Sequence, residues 1–311
     1  MKKLKIFLIL LSIILNFKNL NALENKILFK ADNEIITTID IYEEIKFLKA
    51  FNPEMNSLDE TELFEISKNS ILRNTIKKIE LKNVGVKELK VDDKFLSKLI
   101  KSKYSKIGIV SLKEFEIYSK DKNLDLKMIK EKFAIQIIWN DYIYKNFYNK
   151  VIIDREKIKK EILQNPQKEK QKEFLLSEIN FNVSDKIDFK DKYEEIILDI
   201  EKLGFKKTAL KHSNSETASD GGLIGWVKQD NLNLTIKKII SDLKIGQISE
   251  PIRTSSGFII LRIDDEKEIS TNLDINEKIE EIVKFKINDQ LSQFSNMHFN
   301  KIKKNLIIND L

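Results

Sequence analysis

A chain of 311 residues, 41% hydrophobic and 33% charged, has the composition of a globular protein of roughly two domains, which excludes a fibrous or disordered one. It contains no cysteine, so a disulfide framework, a thiol nucleophile and thiolate metal ligands are all ruled out. The formal charge of +6 comes from lysines mixed with acidic residues throughout, which describes a solvated surface and excludes a nucleic-acid stripe.

Residues 1–22 have the order of a secretory signal. Lys2, Lys3 and Lys5 precede an apolar run over 6–15, and a short polar stretch ends at Asn21-Ala22. Cleavage after Ala22 is the favoured reading. Retention as an anchor is the alternative, and about ten apolar residues are too few to span a bilayer comfortably. Cleavage would remove Lys2, Lys3, Lys5 and Lys18 and lower the formal charge to +2, with no stable membrane span left in the mature chain.

From 25 to 39 two short extended pieces flank a turn at Asp32-Asn33. Asp40 is placed to cap a first helix with Ile41, Ile45 and Leu48 on its apolar face, stopping before Pro53. A second helix covers 59–83. Val91-Asp92-Asp93 opens a third, Ser111 caps a fourth, a fifth covers 126–148, and Asp154 begins a sixth that ends before Pro166. Only Gly85 and Gly108 interrupt these 170 residues, so the block reads as all-helical. Phe133, Trp139, Tyr142, Tyr144 and Phe147 are its candidates for an exposed aromatic binding surface, weighed against a place in the core.

The composition changes over 164–172, and six of the eight glycines then fall between Gly204 and Gly257. An alternating strand covers 174–183, with Leu175, Ser177, Ile179, Phe181 and Val183 on one face. A helix with Phe189, Tyr193, Ile196, Ile200 and Leu203 follows, then a short one over 205–212. Ser219-Asp220-Gly221-Gly222-Leu223-Ile224-Gly225-Trp226 packs three glycines into five positions before a large apolar anchor, marking a tight turn into a strand. A helix around Ile236, Ile239 and Leu243 and a hairpin of 248–254 with 258–263 close an α+β unit. Residues 276–304 are helical again, and a lone amphipathic helix needs the first block to bury its apolar face.

The second block resembles a parvulin-type peptidyl-prolyl isomerase domain. The resemblance is carried by Leu175-Leu176-Ser177-Glu178-Ile179, by Phe205, Ala209 and Ser213, by Ala218 and the 221–226 stretch, by 243–252, and by Thr254 with Ser256-Gly257-Phe258. The segment Asn33-Glu34-Ile35-Ile36-Thr37-Thr38-Ile39-Asp40 and the helix–insert–helix order make the whole chain similar to SurA-type periplasmic chaperones with one parvulin domain. That resemblance implies an α+β fold: an all-helical chaperone module, made of an N-terminal block (23–170) and a returning C-terminal helix (268–311), with a parvulin-like insertion (171–267) after the signal (1–22).

Rotation about an X-Pro bond faces a barrier near 18–20 kcal/mol and breaks no bond, so catalysis needs an apolar proline slot and polar groups that favour the twisted amide. In the family the polar groups are a pair of histidines on the first and last strands, beside a Cys or Asp. Here the resemblance places Glu178 on the first strand, Ile259 on the last and Ser215 near the Cys/Asp position, with Thr254 retained. It assigns the proline or peptide slot to Leu232, Ile236, Phe258 and Trp226. His212 and His298, the only histidines, match neither catalytic position, and no metal or cofactor is expected. The implied function is an exported, periplasmic, ATP-independent chaperone for unfolded outer-membrane β-barrel proteins or aromatic-rich peptides, its parvulin domain weak or inactive. The alternatives are a working prolyl isomerase of the cell envelope and a membrane-anchored foldase.

Overall fold

The computed structural model describes residues 25–164, 170–183, 188–270 and 274–310, so the signal reading lies outside the described residues. Two strands open the chain, β1 (Ile27–Ala31) and β2 (Glu34–Thr37), turning at Asp32 with φ 49°. The helical block follows as α1 (Thr38–Phe51), α2 (Glu60–Asn83), α3 (Asp93–Tyr104), α4 (Leu112–Asp121), α5 (Leu126–Phe147) and α6 (Arg155–Gln164). The second block holds β3 (Lys170–Phe181), α7 (Phe189–Leu203), α8 (Phe205–His212), β4 (Leu223–Lys228), α9 (Leu234–Ser241), β5 (Ile252–Thr254) and β6 (Gly257–Ser270). The long α10 (Ile275–Asn305) and β7 (Ile308–Asp310) complete the chain.

Side-chain caps set several of the helix starts. Thr37, not Asp40, is the N-cap of α1. Its hydroxyl accepts from the Asp40 N–H, while the Asp40 carboxylate accepts from Thr37 N at 2.7 Å, a reciprocal capping box. Asp59 and Ser111 close equivalent boxes with Glu62 and Glu114 at α2 and α4.

The first core is aromatic. Phe51 stacks on Phe115 at 5.2 Å and touches Phe47, Tyr104 and Tyr118, while Phe133 closes the group. Phe133 and Trp139 are thus core residues, buried by the packing of α5, and only Tyr144 of the five aromatic candidates stands half-exposed at 50%. A second cluster joins Trp139, Ile76 and Ile143 to Phe299 of the C-terminal helix, and a third joins Ile158 and Ile162 of α6 to its Ile279, Ile282 and Val283. The last residues add an unforeseen strand: β7 pairs with β1, giving a small sheet in the order β2-β1-β7.

The second sheet has the order β4-β3-β6-β5, all antiparallel. β3 starts at Lys170, inside the stretch where the composition changes and four residues before the strand expected from 174. Cross-strand ion pairs explain this: Lys172 with Glu266 and Glu173 with Lys267, each at 3.1 Å, extend a charged ribbon beyond the apolar part. The hairpin strand expected over 248–254 is regular only over Ile252–Thr254, with a single bridge from Ile248 to Arg262. Both sheet faces are covered. Ile179, Phe181 and Ile260 pack under α7 and α8, and Phe174, Leu176, Leu261 and Ile263 pack under α9.

Gly222 fixes the join between sheet and loop. Its φ is +84°, and a Cβ there would meet the Glu178 carbonyl oxygen at 2.2 Å. The close approach allows Glu178 N to donate to Gly222 O at 2.8 Å. Gly222→Ala combines left-handed strain with a backbone clash, so urea unfolding should show a loss of about 2 kcal/mol or more.

Candidate functional site

Directly paired residues in an antiparallel sheet share a face, so register decides what the site contains. Asn180 pairs with Ile259, Glu178 with Leu261 and Leu176 with Ile263, placing all six on the face covered by α9. Leu232 and Ile236 pack against this cluster together with Ile252 and Ile259. Two slot candidates are therefore brought together with Ile259, and two are not. Phe258 pairs with Phe181 on the opposite face, where its ring lies 5.7 Å from Phe181 and 4.6 Å from Phe189. Trp226 pairs with Leu175, also on that opposite face, and lies 39% exposed with Lys267 Nζ 3.9 Å over its ring. Alternation along β4 and β6 settles both corrections, because each residue neighbours one that faces the slot.

β4 leaves β3 at Ser177, so the β3 edge beyond it needs other partners. The loop after α8 supplies them. Asn214 N donates to Asn180 O at 2.8 Å, and Asn180 N donates to Ser213 Oγ at 3.0 Å. This edge contact brings a row of hydroxyls to Glu178. Ser213 Oγ lies 2.9 Å from Ser215 Oγ, Ser215 Oγ lies 2.6 Å from Thr217 Oγ1, and Thr217 donates to Glu178 Oε1 at 2.9 Å. Each hydroxyl has one proton to give. With Glu178 ionised, Ser215 must therefore donate to Thr217 and Ser213 to Ser215, so the row is ordered toward the carboxylate. Asn180 links this row to the hairpin, since its Nδ2 donates to Ser256 Oγ at 3.3 Å and Ser256 Oγ lies 3.2 Å from Thr254 Oγ1. The structure thus joins Ser215, Glu178 and Thr254 in one network, through Thr217 and Ser256. Thr217 was not singled out in the sequence, and Ser256 was named only for the resemblance; spacing of two from Ser215 and Thr254 was the available signal for their place in the network.

Burial is the largest influence on Glu178 and raises its pKa, with the nearby Asp289 charge adding to it, while the Thr217 hydrogen bond opposes. The row can hold a proton or accept a polar backbone group. Ile259, paired with Asn180 on the same sheet face, contributes hydrocarbon and no hydrogen-bonding group.

His212 and His298 lie elsewhere. His298 Nε2 meets Glu80 at 2.9 Å and stacks on Trp139. His212 sits with Asp199 and Glu195, where Lys211 Nζ approaches Asp199 at 2.7 Å and Lys192 Nζ approaches His212 Nδ1 at 3.1 Å. Ammonium groups already meet these ligand atoms, which makes the group an ion-pair network.

Residues 156–265 match the rotamase family model, described as a PPIC-type PPIase domain. The match begins within α6, upstream of the boundary read from composition. Chaperone SurA of Pseudomonas putida is 38% identical over 69 residues, 22% of this chain and 16% of that protein. Chaperone SurA of Pseudomonas aeruginosa is 36% identical over 63 residues, 20% of this chain and 15% of that protein. Residues 156–265 thus carry a parvulin-type domain, and the chain is similar to SurA chaperones over 63–69 residues. The matched stretch spans about one-sixth of the length of these curated relatives. A SurA-like chaperone of Campylobacter jejuni aligns over 92% of this chain and 99% of its own at 16% identity with a TM-score of 0.38, a likeness too slight to carry any argument. No helix among the described residues is long and apolar enough to cross a membrane.

A folded-state carboxyl pKa above its unfolded value means that ionisation opposes folding. The deficit is absent below the ordinary carboxylate range and grows as pH rises through the elevated value. Glu178→Gln removes it. The urea midpoint of the variant relative to wild type should therefore rise from pH 4 to pH 8, with the parvulin block intact by circular dichroism.

Proposed function

We propose that this SurA-type chain is an exported, ATP-independent holdase of the periplasm that binds unfolded proteins, with outer-membrane β-barrel proteins as clients. Its parvulin domain serves binding more than catalysis. The observation that carries this reading is the composition of the α9-covered face: partly buried Leu232, Ile236, Ile252 and Ile259 on one sheet face with a hydroxyl-carboxylate row, and hydrocarbon where the family's second histidine would stand. Such a face offers burial to an apolar side chain and hydrogen bonds to the backbone of an extended client, both needed for weak, reversible capture. It gives little that strengthens as an amide twists, so binding and transition state are stabilised alike and the rotation gains little speed.

A working isomerase is the second reading. It is favoured by the persistence of the slot and of Thr254 and Ser215 in one network, since an apolar, partly desolvated pocket alone can ease amide rotation.

The mature chain should delay aggregation of a diluted, urea-unfolded outer-membrane barrel protein, read by light scattering, at near-equimolar ratio. In a protease-coupled assay on an X-Pro peptide it should leave the uncatalysed relaxation, on the order of tens of seconds, essentially unchanged. Failure to delay aggregation would sink the holdase. Acceleration of the peptide that is lost in Ser215→Ala and Leu232→Ala would establish the isomerase instead.

A further inference from the structure

One helix lies across the face that the client site needs. Along α10, Lys278, Glu281, Phe285, Asp289, Gln293 and Asn300 recur at three-, four- and seven-residue spacing and so form one stripe. Lys278 Nζ pairs with Asp230 at 2.7 Å, and Glu281 accepts from Lys228 Nζ at 2.6 Å, at the turn that leads into α9. Phe285 packs against the cluster that also holds Leu232, Ile236, Ile252 and Ile259. The Asp289 charge acts on Glu178. Gln293 Oε1 accepts from Ser255 Oγ at 2.9 Å, and Asn300 Nδ2 donates to Ser256 O at 3.3 Å, both at the hairpin beside Thr254. The stripe therefore runs from one end of the site to the other, with one aromatic ring against the slot.

We propose that the C-terminal helix is an intramolecular occupant of the client site: Phe285 stands where a client's apolar side chain would insert, and a client binds by taking its place. This rests on reading that face as the client site. Two features make the contact exchangeable. The stripe facing the parvulin sheet is polar apart from Phe285, which is itself only half-buried. The Lys228–Glu281 pair is partly exposed and contributes little, whereas Lys278 is buried where it meets Asp230. The neighbouring stripe of Ile279, Ile282 and Val283 is buried against Ile158 and Ile162 of α6, so the helix is held by hydrocarbon to the helical module. Exchange accordingly moves Phe285 off the sheet face and leaves the helix on its module. The apparent affinity for a client is then the intrinsic affinity reduced by the fraction of chains whose face is free.

The test uses the full mature chain and a dansyl-labelled Ala-Leu-Pro-Phe peptide, with binding followed by fluorescence. Phe285→Ala should bind about fivefold more tightly than wild type, because the occupied fraction falls. The chain has no cysteine, so a Ser255→Cys/Gln293→Cys variant can be bridged uniquely by a short bis-maleimide that clamps the helix onto the hairpin. The bridged form should lose about tenfold in affinity relative to the same variant capped with N-ethylmaleimide. If Phe285→Ala fails to fold, the bridged and capped pair decides alone. Equal binding by wild type, Phe285→Ala and the bridged form would overturn the occupant role and leave the client site standing. Absence of binding by every form would overturn the client-site reading and this inference with it.

Discussion

A buried indole organises the molecule. Trp139 on α5 is fully enclosed, and its Nε1–H donates to Ser295 Oγ of the C-terminal helix at 2.8 Å. An unmet buried donor would cost about 1–3 kcal/mol, so the helix has to pass at this point. Ser295 Oγ donates onward to Glu216 Oε1 at 3.2 Å, in the loop that feeds β4, and Glu216 pairs with Lys77 of α2 at 2.6 Å. Four elements from both blocks meet in one small polar node within hydrocarbon. A second tie lies close by: Arg73 donates to Leu210 O at 3.0 Å and Ser213 O at 3.4 Å. Burial draws its pKa down to about 10 against the pull of Glu44 and Glu216, which still leaves it charged at neutral pH.

The node has a consequence for chemistry. The loop it holds, from Ser213 to Gly222, is the same loop that covers the free edge of β3 and carries the hydroxyl row to Glu178. The helical module therefore positions the site of the parvulin block from outside, through Glu216, while Gly222 positions it from inside by letting two backbones touch. Lys103 with Asp220 at 2.6 Å reinforces the outer contact. A domain seated this firmly is one face of a larger binding surface, and its chemistry has to be judged together with the helix that lies on it.

Much of the fold could be read from residue order. Caps at Asp59, Asp92 and Ser111, prolines after helices and the glycine-rich turn act locally, and local signals survive in a linear text. Thr37 was missed as a cap because Asp40, three residues on, shares the box and carries the stronger local signal. The charged start of β3 was missed because its stability comes from β6, almost a hundred residues away, and β7 because its partner is β1 at the other end of the chain. For the candidate site, Glu178, Ser215 and Thr254 were singled out by position and fall into one hydrogen-bond network, whereas the linking Thr217 had no signal of its own. Phe258 and Trp226 were assigned to the slot from their size and placement, whereas parity along β6 and β4 turns each to the other face. The part played by the C-terminal helix was invisible, since nothing in its sequence names the sheet it covers.

The polar node around Trp139 and Glu216, with Arg73 and Lys103 beside it, makes the two blocks a single cooperative structure. Native-state hydrogen exchange of the full chain in increasing urea tests it most directly, by comparing amides of β3 and β6 with those of α5 around Trp139. The account predicts that both sets merge into one global opening, with the same free energy and the same urea dependence. Exchange of the β3 and β6 amides through a separate, lower-energy opening while α5 stays protected would contradict it.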